Sequence, residues 1–151
     1  MQSSTVTITS ECPKDGDCTI EIFDGKSIMM KTSEFGRLYY DLEETANKKV
    51  VKYTYNRKVK GDLQDASYRE EIIFEVPSVK DELVFNDESL QDAKVLFGRF
   101  CYCKGQTGYY TIDQGSLRII NEINSKTTTF SLDFTTKKVP QIIKSISFFI
   151  K

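Results

Sequence analysis

Tyr68-Arg69-Glu70-Glu71-Ile72-Ile73-Phe74-Glu75-Val76 sets Ile72, Phe74 and Val76 on one side of an extended chain and Glu71 and Glu75 on the other. Phe130-Ser131-Leu132-Asp133-Phe134 repeats the device, with Ser131 and Asp133 opposed to three large apolar residues. Successive side chains of a strand point to opposite faces, so this alternation marks strands with one buried and one wetted face. The phase recurs outward from these two runs, in Val6 and Ile8, in Cys18, Ile20 and Ile22, in Leu38, Tyr40 and Leu42, and in Val51, Tyr53 and Tyr55. Branched and aromatic residues fill the segments, as pleated, half-buried surfaces favour.

Strands are expected over about 4–10, 18–23, 27–32, 37–44, 49–59, 67–76, 94–103, 108–112, 116–123, 127–134 and 141–150. Asp15-Gly16 and Asp24-Gly25 read as hairpin turns, and Gly61-Asp62, Gly105 and Gln114-Gly115 as further turns. Helix is expected only as one turn over Asp87 to Ala93; Asp41 to Lys48 reads as a strand end plus a hairpin loop. The acidic stretch 77–93 reads as the least structured part. The fold class is therefore all-β: residues 1–151 form a single domain, an antiparallel β-sandwich or flattened meander barrel of about ten to eleven strands with at most one short helix. The last strand carries Ile142, Ile143, Ile146, Phe148, Phe149 and Ile150 on both phases, which implies sheet faces covered on both sides.

The chain has 151 residues, one domain's worth, and its ten Phe and eight Tyr suffice for a core. Lys and Arg number 21 against 22 Asp and Glu, a net charge of −1, without the basic excess that phosphate neutralisation requires of a nucleic-acid binder. No apolar run is long enough for a transmembrane helix. Histidine is absent, which removes Ser-His-Asp and Cys-His mechanisms. Neither a phosphate-binding loop nor a dinucleotide fingerprint occurs. Glu43-Glu44, Glu70-Glu71 and Asp81-Glu82 are adjacent pairs whose members face opposite sides of a strand, so they read as solvated charge. Asp15-Gly16-Asp17 reads as a turn, not as a calcium loop. No catalytic residue, metal or cofactor is assigned.

Four cysteines stand as two close pairs, Cys12 with Cys18 and Cys101 with Cys103. Cys12, Cys18, Cys101 and Cys103 all share the phase of apolar neighbours and are expected in disulfides. Two residues apart on a strand, Cys101 and Cys103 would lie about 6.6 Å apart with parallel side chains. Cross-pairing between the first hairpin and the Cys101–Cys103 strand is therefore favoured, with local Cys12–Cys18 pairing as the alternative. Zinc binding fits the spacing poorly, because structural sites use C-x₂₋₄-C knuckles. Redox chemistry at Cys101-Tyr102-Cys103 lacks the following helix whose dipole activates a thiol, and Lys104 would help only modestly.

Two further groups stand out. Glu70 shares the phase of Ile72 and Phe74, and Arg99 that of Phe97 and Cys101, so each strand aims one charge inward. An internal bridge, or strand ends that reach water, is the simpler reading; a ligand contact is the alternative. Lys144, between Ile142 and Ile146, is placed in the same way. Tyr39, Tyr102 and Tyr110 fall on the phase opposite the core and are candidates for a surface aromatic contact.

The segments Cys12–Cys18, Tyr68–Val76, Leu96–Tyr110 and Val139–Ile143 resemble small exported proteins of Bacteroidetes, often lipoproteins, that bring no known activity. The resemblance implies a cleaved leader and a periplasmic or surface location, with no catalytic residue to carry over. Met1-Gln2-Ser3-Ser4 is polar and is no signal peptide, so the leader, or a lipid anchor, would lie upstream of this chain. Cytoplasmic location is the alternative. The expected function is a non-enzymatic cell-envelope or secreted domain that binds a protein, a glycan or a small apolar ligand. A lipocalin-like carrier of an apolar ligand and a thiol-disulfide redox protein are the alternatives.

Overall fold

The computed structural model describes residues 5–58, 67–79, 81–103 and 105–151; the expected Gly61-Asp62 turn and Lys104 lie outside them. Among the described residues ten strands run β1 (Val6–Ile8), β2 (Gly16–Thr32), β3 (Leu38–Arg57), β4 (Tyr68–Pro77), β5 (Glu82–Asn86), β6 (Leu96–Cys101), β7 (Gly108–Thr111), β8 (Gly115–Glu122), β9 (Thr127–Phe134) and β10 (Ser145–Ile150). They form two antiparallel sheets, β1-β10-β9-β8-β5 and β2-β3-β4-β6-β7. The sheets are not closed into a barrel, so the sandwich alternative holds.

The two alternating runs meet in the core. Phe74 of β4 lies 6.2 Å from Phe130 of β9, which stacks on Phe148 of β10 at 4.6 Å. Phe97 packs on Phe134 at 5.6 Å. Each such fully buried ring contributes about 2 kcal/mol of transfer free energy. Val51, Tyr53, Ile72, Leu117, Ile119 and Ile146 fill the space between these rings.

Five expectations of the fold need correction. Asp24-Gly25 is not a hairpin turn, and 18–23 and 27–32 are one strand. Here the register shifts between Asp24 and Lys26, and Gly25 alone faces Thr45 to Lys48. Asp41 to Lys48 is accordingly no loop but the middle of β3. Asp15-Gly16 turns the chain from one sheet to the other instead of joining neighbours, because β1 and β2 lie in different sheets. The stretch from Glu82 to Ala93 is regular: β5 pairs with β8, and Asp87–Ala93 forms a 3-10 helix that buries Leu90 and Ala93. Finally, Glu71 and Glu75 are buried, because a third layer covers the outer face of the second sheet.

That layer is the far half of the β2–β3 hairpin. Gly25 (φ 68°) and Asn47 (φ 63°) both occupy the left-handed region, which bends the hairpin. Beyond the bend, residues 26–44 form an arm folded over β4, β6 and β7. Ile28 of the arm is fully buried against Val50, Ile73 and Leu96, with Met30, Leu38, Tyr40 and Leu42 around them. This explains why Ile73 breaks the alternation of β4: both faces of that strand are covered.

Candidate functional site

Glu75 holds the arm down. One carboxylate oxygen accepts the Ile28 backbone N–H at 2.8 Å and the Ser27 hydroxyl at 2.9 Å. The other accepts Lys48 Nζ at 3.0 Å. Lys94 Nζ lies 3.3 Å from Glu75 and donates to the Ile28 carbonyl at 2.7 Å. Burial opposes ionisation of Glu75, but the Ile28 N–H, Lys48, Ser27 and the charge of Lys94 outweigh it and hold the carboxyl below its usual range.

At its far end the arm meets β7. Tyr109 seats edge-on against Tyr40 at 5.3 Å and Phe100 at 5.1 Å. Gly98 makes the seat: a Cβ there would stand 2.7 Å from the Tyr109 ring and 2.8 Å from that of Phe100. The Tyr109 hydroxyl donates to Glu71 at 2.9 Å. Burial, the negative charge of Glu71 and the neighbouring Tyr40 push the phenol's pKa far up, so it stays a donor. Arg69 Nε binds the same carboxylate at 2.8 Å while its guanidinium lies over Phe100 at 4.4 Å.

Between the arm tip and β7 opens a cleft of about 560 Å³, lined by Ser33, Gly36, Arg37, Leu38, Tyr39, Phe100, Gly105, Thr107, Gly108, Tyr109 and Tyr110. A shallower hollow of about 280 Å³ adjoins it through Phe100 and Thr107, and adds Arg57, Arg69 and Tyr102. Exposed aromatic rings gather at this end: Phe35 is 83% exposed, Tyr102 70% and Tyr39 40%. Arg37 is exposed and makes no ion pair among the described residues.

The expected aromatic trio is thus only partly reunited. Tyr39 and Tyr110 line one cleft and Tyr102 its neighbour. Tyr110 corrects its expected phase: it packs against the core between the sheets, and Tyr109 takes the outer face. The register Phe97↔Tyr110 sets this, since Phe97 points inward. Phe35, Arg37, Phe100 and Tyr109 were not singled out from the sequence. An aromatic residue in the Ser-Glu-Phe-Gly turn was the one available signal; the others needed the fold of the arm.

Glu70 and Arg99 are direct register partners, yet no salt bridge joins them. Tyr68 stands between: its hydroxyl donates to Glu70, and Arg99 Nε donates to that hydroxyl at 3.3 Å. Burial, the bond to Glu70 and that carboxylate's charge push the Tyr68 phenol to about 12, against the pull of Arg99. Glu70 is fully buried and accepts the backbone N–H groups of Ile142 and Ile143 at 2.7 and 2.8 Å. Its geometry is that of a clasp on the segment before β10. Lys144 corrects its inward expectation: it is exposed, because the strand begins only at Ser145.

The disulfides pair locally, which overturns the favoured cross-pairing. Cys12 bonds Cys18 across the turn between the sheets, with Cα atoms 5.9 Å apart. Cys101 pairs with Cys103 at a Cα separation of 5.2 Å. Strand β6 ends at Cys101, and the bend at Tyr102 shortens the extended spacing that had disfavoured this pair. Arg99 Nη1 lies 3.0 Å from Cys103 Sγ. A second cleft of about 400 Å³ lies beside the other disulfide, between Ser10–Lys14 and Ile142–Ser145.

Among the described residues, no helix is long and apolar enough to cross a membrane. The chain matches no known family model, no curated protein and no solved structure.

Proposed function

We propose that this chain is a non-enzymatic binding domain of the cell envelope or of a secreted protein, and that the cleft between the arm and β7 receives its partner. The observation that carries the reading is a cleft lined by Tyr39, Phe100 and Tyr109, with the exposed Phe35 on the turn that borders it and the exposed Tyr102 in the adjoining hollow. Large exposed apolar groups cost solubility, and their concentration at one end marks an interaction surface. The lack of histidine argues in the same direction, since it removes the commonest general base. The Cys12–Cys18 bond supports location in an oxidising compartment.

The test uses the ¹⁵N-labelled protein and a panel of probes: a strand-forming peptide, trigalacturonate, maltohexaose and a detergent below its micelle concentration. At least one should shift the amides of Tyr39, Phe100 and Tyr109 together. Shifts confined to the cleft at Ser10–Lys14, or none at all, would refute the assignment. An internal apolar carrier is not the preferred reading, because the core rings pack on one another and the described clefts open at the surface.

One observation favours a second reading, thiol-disulfide exchange at Cys101–Cys103. An external dithiol would supply two electrons and break that bond, and Arg99 would stabilise the departing Cys103 thiolate. Alkylation of the native protein under a glutathione buffer, followed by mass spectrometry, separates the two. Labelling at Cys101 and Cys103 alone supports exchange, and four blocked sulfurs support purely structural bonds.

A further inference from the structure

We infer that the partner is an extended peptide segment with acidic side chains, added as a strand to the outer edge of β7. The inference rests on the reading of the arm–β7 cleft as the binding site. Strand β7 ends its sheet, so among the described residues one of its edges is unpaired by the order of strands. The phase of that edge follows from the ladder. The Ile112 N–H donates to the Val95 carbonyl at 3.1 Å, which makes Val95 and Ile112 a bonded pair. Bonded pairs alternate in an antiparallel ladder, so Phe97↔Tyr110 and Arg99↔Gly108 are bonded as well. The main-chain groups of Thr107, Tyr109 and Thr111 then point away from β6. Lys138 closes the far end, its Nζ 3.4 Å from the Thr111 carbonyl.

An open edge of this kind is a template for another strand, and proteins usually blunt it with charge or brevity. The three other sheet edges are blunted. Strand β1 has three residues, β2 carries Asp17, Glu21 and Asp24, and β5 opens on Glu82. Strand β7 is itself short, at four residues, but reads Gly-Tyr-Tyr-Thr, without a charge or a proline. The cleft beside it is where the exposed rings gather.

Charge selects among peptides. Arg37 is the charged group among the described residues lining the cleft, and it pairs with no carboxylate among the described residues. An acidic side chain on the incoming strand supplies one. A sugar is the poorer fit. The Tyr109 ring is already engaged, against Gly98 and edge-on with Tyr40 and Phe100.

The full chain is titrated by fluorescence polarisation with a fluorescein-labelled octapeptide of alternating threonine and glutamate, and with its threonine–lysine counterpart. Amide hydrogen exchange is measured with and without the acidic peptide. The acidic peptide should bind at least about fivefold more tightly, as one added ion pair allows. Arg37→Glu, at an exposed position, should reverse the preference. Exchange at Tyr109 should slow about tenfold in the complex, while Val84 on β5 stays unchanged. Equal binding of the two peptides, or protection at β5 without protection at Tyr109, would overturn the inference. Trigalacturonate provides the separating arm. If it shifts Tyr39 and Phe100 and neither peptide does, the cleft stands and the peptide falls. If no probe shifts them, both fall.

Discussion

Glu70 and Gly98 show how much rests on single side chains here. Glu70 accepts two backbone N–H groups and a phenol with none of its surface in water. In Glu70→Ala the donors of Ile142 and Ile143 would stay buried without acceptors, at about 1–3 kcal/mol each. We expect Glu70→Ala to lose about 3 kcal/mol in urea unfolding and Glu70→Gln about half of that. A loss below about 1 kcal/mol for the alanine variant would mean that water replaces the clasp. Gly98→Ala should act differently, because the new Cβ would collide with the Tyr109 ring. The expected outcome is a shifted Tyr109 ring resonance and weaker probe binding at the cleft, with the core resonances of Phe74 and Phe130 unmoved. The inward aim of Glu70 and Arg99 was legible in strand phase. The Tyr68 hydroxyl between them was not, since phase reports the side of a sheet and not the reach of a side chain.

The arm is the element that sequence patterning misread. Asp24-Gly25 carries the composition of a tight turn, and a two-residue hairpin is what such a pair usually signals. The same left-handed freedom also suits a bulge, and only the partner strand, with Asn47 at positive φ opposite, selects between them. Gly25→Val should therefore destabilise by about 1–2 kcal/mol, from the cost of a side chain in that conformation, and should loosen the arm first. Acid should do the same. The carboxyl of Glu75 is held below its unfolded value, so the stabilisation is complete above about pH 4.5 and is lost as pH falls through the lowered folded value. Native-state hydrogen exchange at Ile28 should accelerate in that window ahead of Phe74. Equal acceleration at the two positions would show global unfolding instead, and an unchanged Ile28 would show that Glu75 does not clamp the arm. Ile73 was a hint left unread: an apolar residue out of phase on β4 marks a strand covered on both faces.

At the scale of the molecule the disulfides are local staples. Cys12–Cys18 spans six positions, for which the chain-entropy argument allows about 2 kcal/mol, well below what a long-range clamp would supply. The double variant Cys12→Ser with Cys18→Ser should lose about that much and remain folded. Collapse of the whole domain would show that the bond also fixes the passage of the chain between the sheets. The all-β class was legible because burial on one face imposes period two on every strand, and Phe130-Ser131-Leu132-Asp133-Phe134 shows it undiluted. The strands over 67–76 and 127–134 lie close to β4 and β9 for that reason. Strand β5 was not legible, because Glu82–Asn86 is short, lies between the acidic Asp81 and Asp87, and owes its order to pairing with β8.

The sequence by itself determined the all-β class, the one-faced alternation of strands such as β9 and the lack of imidazole chemistry, because each is a property of neighbours along the chain. Tertiary structure alone decided which cysteines meet, which tyrosine faces out, and where an aromatic cleft opens beside an unguarded strand edge. The cleft depends on a bend at Gly25 and Asn47 that carries the arm over β7, and contacts between segments so far apart leave no period in the sequence.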